Sequence, residues 1–192
     1  MKSKETSNQL EIAIRFFFLS LLAFGFLYPL AVTGISRTIF PSQVEGSLLL
    51  LNGKVVGSEL FSQSLHSPIL FRYRPSAASF NTLPSGASNL SPTSLDLKTK
   101  VEERKKELND LGMNTEECSE LMYASASGLD PHISTRCAYE QTKWISRQTK
   151  IPIETLNKLV LKYTEYPLFG FIGRERVNVT KLNLEWKQLI HE

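Results

Sequence analysis

The side chains that could do chemistry in this sequence are few, and their spacing argues against the commonest reactions. Its three histidines, His66, His132 and His191, stand far apart in the chain. No H-E-x-x-H or similar run presets a metal site, so the fold would have to assemble one from distant segments. Asp130, His132 and one of many serines are the residue types of a proton relay with a nucleophile. A triad is defined by geometry, however, and no G-x-S-x-G elbow presents a serine to a base. His132 reads more simply as a hydrogen-bonded residue near a helix start. No G-x-x-x-x-G-K-[ST] loop, no G-x-G-x-x-G and no Asp-Lys-Thr-Gly phosphorylation motif occurs, which excludes the usual routes to nucleotide hydrolysis.

Ser85, Gly86, Ala87, Ser88 and Asn89 form the one segment whose small residues and hydroxyls could bring several backbone N–H groups against an anion such as phosphate. The same residues also suit a tight turn held by Asn and Ser side chains. Arg72 and Arg74 on either side of Tyr73, and Arg174 with Arg176, offer guanidinium groups to phosphate or to carboxylates. Cys118 and Cys137 lack a C-x-x-C spacing, and the paired and free states are both open to them. Asn89-Leu90-Ser91 and Asn178-Val179-Thr180 match the glycosylation sequon, a pattern short enough to arise by chance.

The elements that must carry these groups begin with a membrane segment. From Phe16 to Ser36 no charged residue occurs, and the run is bounded by Arg15 and Arg37. As a helix rising about 1.5 Å per residue, its 21 positions match a hydrocarbon core of roughly 30 Å. A cleaved signal peptide has a shorter apolar region and a small-x-small site, which Ala31-Val32-Thr33 fits poorly. An uncleaved anchor is expected, with Tyr28 at an interface and a kink at Pro29. Lys2, Lys4 and Arg15 precede the span, against Arg37 and Lys54 after it, so the N-terminal tail 1–15 is placed in the cytoplasm and residues 37–192 outside it.

Behind the span, Leu48–Leu51 and Val55-Val56 flank Asn52-Gly53, which predicts a β-hairpin with a type I′ turn. Residues 74–94 hold three prolines and many serines without a lasting period. They predict a long loop, a flexible Ser-rich linker by composition but with Phe80, Leu83 and Leu90 offering the buried anchors of an ordered one. Leu97, Val101, Leu108 and Leu111 predict a helix capped by Thr93 or Ser94 and ended by Gly112, with its charge run as the solvated face. Asp130-Pro131 reads as an N-cap and first turn ahead of a helix from about Thr135 to Gln148. Leu156, Leu159, Val160 and Tyr163 mark another helix over about 152–163. Val177, Val179, Leu182 and Leu184 predict a strand with a bulge at Thr180-Lys181. The expected fold class is α+β, with one N-terminal transmembrane helix (16–36) followed by a single soluble α+β domain (37–192). With 42% hydrophobic residues and a net charge of +3 in 192 residues, disordered and fibrous classes are excluded, as is nucleic-acid binding by bulk charge.

Laid end to end, the segments Tyr28–Ile35, Phe40-Pro41, Gly46–Leu48, Gly57–Leu60, Arg74–Ala77, Ser85-Gly86, Ser88–Leu90, Pro92-Thr93, Ser127–Ser134, Arg176–Val179 and Leu182–Leu184 resemble the C subunit of the Kdp high-affinity potassium-transporting ATPase family. Each motif is weak alone, and their order over nearly the whole chain makes the resemblance specific. It implies a non-catalytic accessory subunit of the bacterial inner membrane. The implied partners are the lipid bilayer, a channel-like potassium-binding subunit and an ATP-hydrolysing subunit. It also implies an effect on the ATP affinity of the catalytic subunit, with no cofactor of its own. Ser85, Gly86, Ser88 and Asn89 are the candidates for any direct nucleotide contact. A nucleotide-binding chaperone subunit and a membrane-anchored hydrolase built around His132 are the alternatives. Where the family has a glycine pair, this chain has Gly86-Ala87, and a Cβ there narrows backbone approach.

Overall fold

The computed structural model describes residues 2–191, with the side chains of residues 2–7 and of residue 191 left aside; the expectations placed on the side chains of Lys2, Lys4 and His191 lie outside the described residues. The chain divides into two compact units between Ser47 and Leu48, eleven positions beyond the Ser36 at which the apolar run ends.

The first unit is helical. Helix α1 (Lys2–Ser20) passes through a π-helical turn (Leu21–Leu27) into α2 (Tyr28–Ile39), and a short α3 (Pro41–Val44) follows. Its stretch Asn8–Ile39 is 32 residues long, is wholly unburied, and is long and apolar enough to cross a membrane. Proline explains the irregularity. Pro29 has no N–H to return to the Gly25 carbonyl and its ring crowds that oxygen, so the preceding turn widens instead of breaking. The Tyr28 N–H reaches back five residues to the Ala23 carbonyl. The disturbance thus falls before the proline rather than after it.

The second unit opens with the hairpin β1 (Leu48–Leu51) and β2 (Lys54–Ser58). Asn52 and Gly53 both have positive φ, as a type I′ turn requires, and the register slips once, between Leu49 and Leu50. A small antiparallel sheet has the order β3 (His132–Ile133), β5 (Arg176–Asn178), β4 (Thr164–Glu165). Helices α4 (Leu95–Asp110), α5 (Thr135–Thr149), α6 (Ile153–Lys162) and α7 (Val179–His191) complete the α+β unit. Ser94, not Thr93, caps α4 by accepting from the Leu97 N–H at 3.2 Å, and Gly112 follows its end with positive φ. The α6 stripe is buried at Leu156, Leu159 and Val160.

Two elements differ from expectation. Helix α5 is capped by Ser134, whose hydroxyl accepts from the Cys137 N–H at 3.2 Å. Asp130 instead closes a local turn on the His132 N–H at 3.0 Å, because His132-Ile133 is claimed as an edge strand by β5. The tail is helix, not a bulged strand. After Asn178 the buried residues Val179, Leu182 and Trp186 fall at i, i+3 and i+7. The Asn178 carboxamide accepts from the N–H groups of Thr180 and Lys181, both at 3.1 Å, satisfying donors that a helix start leaves free.

The core gathers Phe71, Ile145, Leu156, Val160, Val177, Leu182 and Trp186. Through it runs an irregular segment, residues 69–73, that belongs to no strand. Buried side-chain amides satisfy its backbone instead. Asn183 of α7 accepts from the Phe71 N–H and donates to the Phe71 carbonyl, each at 2.8 Å. Gln141 of α5 does the same for Arg72, at 2.7 and 3.2 Å. The Trp186 indole donates to the Ile69 carbonyl at 3.0 Å, so five backbone groups are paired without a sheet. Cys118 and Cys137 are joined as a disulfide, which ties the segment ahead of the 3₁₀ turn Ser119–Met122 to the first turn of α5.

Candidate functional site

Loop 74–94 and the turn 125–128, far apart in sequence, lie against each other. The Ser125 N–H donates to the Pro75 carbonyl at 3.0 Å, and the Ser85 hydroxyl donates to the Ser127 carbonyl. Gly128, with φ +73°, leaves no room for a side chain between them: a Cβ there would stand 2.9 Å from the Gly86 carbonyl oxygen. Phe80 tucks under the loop beside Tyr73, with ring centroids 6.3 Å apart, and the Ser76 hydroxyl accepts from the N–H groups of Ala78 and Phe80 at 3.1 and 2.9 Å. Leu83, expected as an anchor, is 90% exposed, and the loop is held by polar contacts at that end instead.

The candidate anion residues separate in role. Ser85 is committed to Ser127 and Gly86 to the Gly128 contact. Asn89 is exposed, with a left-handed φ of 52°. Ser88 lines a cleft of about 290 Å³ together with Ser76, Ala87, Leu97, Lys100 and Arg104. The sequence places both Lys100 and Arg104 on the solvated face of their helix. Arg104 in fact sits in the apolar stripe of α4, between Val101 and Leu108, and donates to the Met122 carbonyl at 2.9 Å. Burial lowers its pKa against the fields of Glu103 and Glu107. The signal was present in the sequence, since residue 104 continues the 97–101–108 spacing. Arg104 also borders a second cleft, of about 450 Å³, lined by His66, Arg72, Tyr73, Phe80 and Glu107; there Arg72 pairs with Glu107 at 2.6 Å.

His132 is the centre of a charged chain. Its Nδ1 lies 3.5 Å from Asp130 and its Nε2 3.3 Å from Glu165. Asp130 meets Arg74 at 3.4 Å, and Glu165 meets Arg176 at 2.9 Å. Burial pushes the Asp130 carboxyl up, but hydrogen bonds from the His132 side chain and backbone, with the Arg74 charge, hold it below its ordinary value. Both imidazole nitrogens face carboxylates, so neither is placed to take a proton from a serine, as a triad requires. Asn178 is buried with its amide engaged by Glu59, Thr180 and Lys181, which closes that sequon in the folded chain. Among the described residues no group of three or more His, Cys, Asp and Glu side chains could hold a metal ion.

One helix long and apolar enough to cross a bilayer, followed by a small α+β unit whose polar groups hold loops together, defines a single-helix membrane-associated protein. Residues 10–188 match the profile of the family described as K+-transporting ATPase, c chain. The chain belongs to this family. It is 43% identical over 92% of its length to the potassium-transporting ATPase KdpC subunit of Polaromonas naphthalenivorans, covering 93% of that protein. It is 39% identical over 95% to the KdpC subunit of Acidobacterium capsulatum, covering 99% of it. Against the KdpC subunit of Variovorax paradoxus the identity is 41% over 93%, covering 95% of that relative.

Proposed function

We propose that this chain is a non-catalytic accessory subunit of an ATP-driven high-affinity potassium uptake pump, stabilising the complex and assisting potassium access or the ATP affinity of the catalytic subunit. The observation that carries this reading is the match over 92–95% of the chain to relatives named as KdpC subunits of the potassium-transporting ATPase. Its partners are then a channel-like potassium-binding subunit and an ATP-hydrolysing subunit. The span lies in the bacterial inner membrane with the N-terminus in the cytoplasm and the domain outside. The disulfide between Cys118 and Cys137 supports that side, since such bonds persist where the surroundings are oxidising. Any influence on cytoplasmic ATP is then indirect, passing through the membrane subunits as a difference in binding to two pump states.

Protease added to intact spheroplasts carrying a C-terminally tagged chain should cleave the domain. Protection lost only when the membrane is opened would place the domain in the cytoplasm and reverse the assignment. Deleting the chain should abolish high-affinity potassium uptake, and uptake that persists with an intact complex would refute an accessory role.

The cleft that joins Ser88 to Lys100 and Arg104 favours a second reading, a direct nucleotide contact through phosphate. In that case an azido-ATP photolabel on the full chain is competed by ATP and lost in Lys100→Glu. Labelling that ATP does not compete removes this reading.

A further inference from the structure

We propose that the hairpin tip at residues 166–173 dips into the interface of the bilayer that anchors the chain. The segment Tyr-Pro-Leu-Phe-Gly-Phe-Ile-Gly has no charge, yet Phe169 is 79% and Phe171 77% exposed, and Tyr166, Leu168 and Ile172 are exposed beside them. This exposure belongs to an ordered turn. Leu168 and Ile172 exchange two backbone hydrogen bonds of 3.0 Å, and the Gly170 N–H donates to the Pro167 carbonyl at 3.0 Å. Phe169 and Gly170 take φ of 54° and 81°. A Cβ at Gly170 or Gly173 would meet nothing within 4 Å, so the tip stands clear of its own domain.

Two observations favour lipid as the occupant over a protein surface. The first is connectivity within the unit. Leu48, the residue at which the chain enters the domain from the membrane helix, pairs with Ser58. The next residue, Glu59, shares Lys181 with Glu165 at the root of the tip, the lysine lying 2.5 and 4.0 Å from the two carboxylates. The root of the tip is thus tied, on the domain's own surface, to the end of the hairpin at which the chain enters the domain. The second is chemistry. The tip is a narrow convex wedge of aromatic and aliphatic groups, the side chains that settle at a membrane interface, whereas a stable protein contact needs a patch of about 800 Å² on each side. Arg174 follows the wedge and has no carboxylate partner among the described residues, while the nearby Glu165 and Glu175 are engaged by Arg176 and by the Thr135 hydroxyl. A free guanidinium beside an apolar wedge suits the phosphate of an anionic headgroup. This inference needs the membrane span, but holds for either orientation.

The full-length chain carrying Phe169→Trp, reconstituted in phosphatidylethanolamine–phosphatidylglycerol vesicles with brominated acyl chains, tests it. Trp144 and Trp186 are buried in the domain core and provide a background beyond the quencher's reach. The introduced indole should shift to the blue and lose intensity to the bromines. Adding Leu168→Asp and Phe171→Asp, or Arg174→Glu, should reverse part or all of both changes. A water-like, unquenched emission from chain that is recovered with the vesicles would overturn the proposal. So would shielding that appears only when the other pump subunits are present, which would assign the tip to a protein partner. Chain absent from the vesicle fraction would instead refute the span.

Discussion

At Gly128 the absence of a Cβ is what lets the turn 125–128 lie against loop 74–94. Its positive φ costs an L-residue about 1–2 kcal/mol, and the added Cβ would press on a backbone carbonyl, which cannot swing aside like a side-chain end. Gly128→Ala should therefore lower the urea midpoint of the full chain in detergent and raise proteolysis at loop 74–94, whereas Gly86→Ala, whose Cβ meets nothing within 4 Å, should leave both nearly unchanged. Asp130 makes a second prediction. Its folded pKa lies below the ordinary 3.8, so its stabilising contribution is complete well above pH 3.8 and is lost as pH falls below that value through the folded pKa. Asp130→Asn removes that loss: its stability, followed by thermal unfolding, should fall less between pH 5 and 3 than that of the parent. Equal slopes would show that the His132 and Arg74 contacts do not favour the charged form. The sequence marked Asp130 and His132 as special through their types and the intervening proline. It gave the wrong reason, because whether an aspartate caps a helix or closes a turn depends on whether a strand takes up the residues behind it.

At the scale of elements, the irregular segment at residues 69–73, whose backbone is paired by side-chain amides, is the feature on which the core turns. Replacing Asn183 by Leu keeps the branched shape but strands the Phe71 N–H and carbonyl in the interior. At roughly 1–3 kcal/mol for each of the two unsatisfied groups, Asn183→Leu should cost about 2–6 kcal/mol in urea unfolding, far more than a surface Asn→Leu change; a loss near zero would mean that water replaces the amide. Reducing the disulfide between Cys118 and Cys137, separated by 19 positions, should cost about 3 kcal/mol by the loop it releases. Helices α5 and α6 were legible because their buried residues repeat at three and four. The tail was not, because Val177, Val179, Leu182 and Leu184 also fit a strand with one slip, and only burial of Trp186 distinguishes the two periods. Residues 166–173 carry no period at all, so only the fold distinguishes their exposed apolar run from a buried one.

At the scale of the whole molecule, the membrane helix is the element with most of its surface still to be covered. A Cβ at Gly34 meets nothing within 4 Å in the chain itself, so Gly34→Leu leaves the chain's own packing untouched. Small residues let helices approach closely in lipid. Under the proposed pump function, Gly34→Leu should reduce co-purification of the partner subunits while the chain still accumulates in the membrane; unchanged recovery of the complex would show that this face meets lipid. The apolar span, the α+β class, the hairpin at Asn52-Gly53 and the family are properties of the sequence by itself, since a charge-free run, a turn dipeptide and ordered short motifs are local and survive without tertiary context. The meeting of Gly86 with Gly128, the withdrawal of Arg104 into the α4 stripe, the pairing of Cys118 with Cys137 and the amide ladder on residues 69–73 were settled only by the tertiary structure. Each joins residues distant in sequence, and which buried polar group finds which partner is fixed by the packing of helices around it, not by the spacing of residues along the chain.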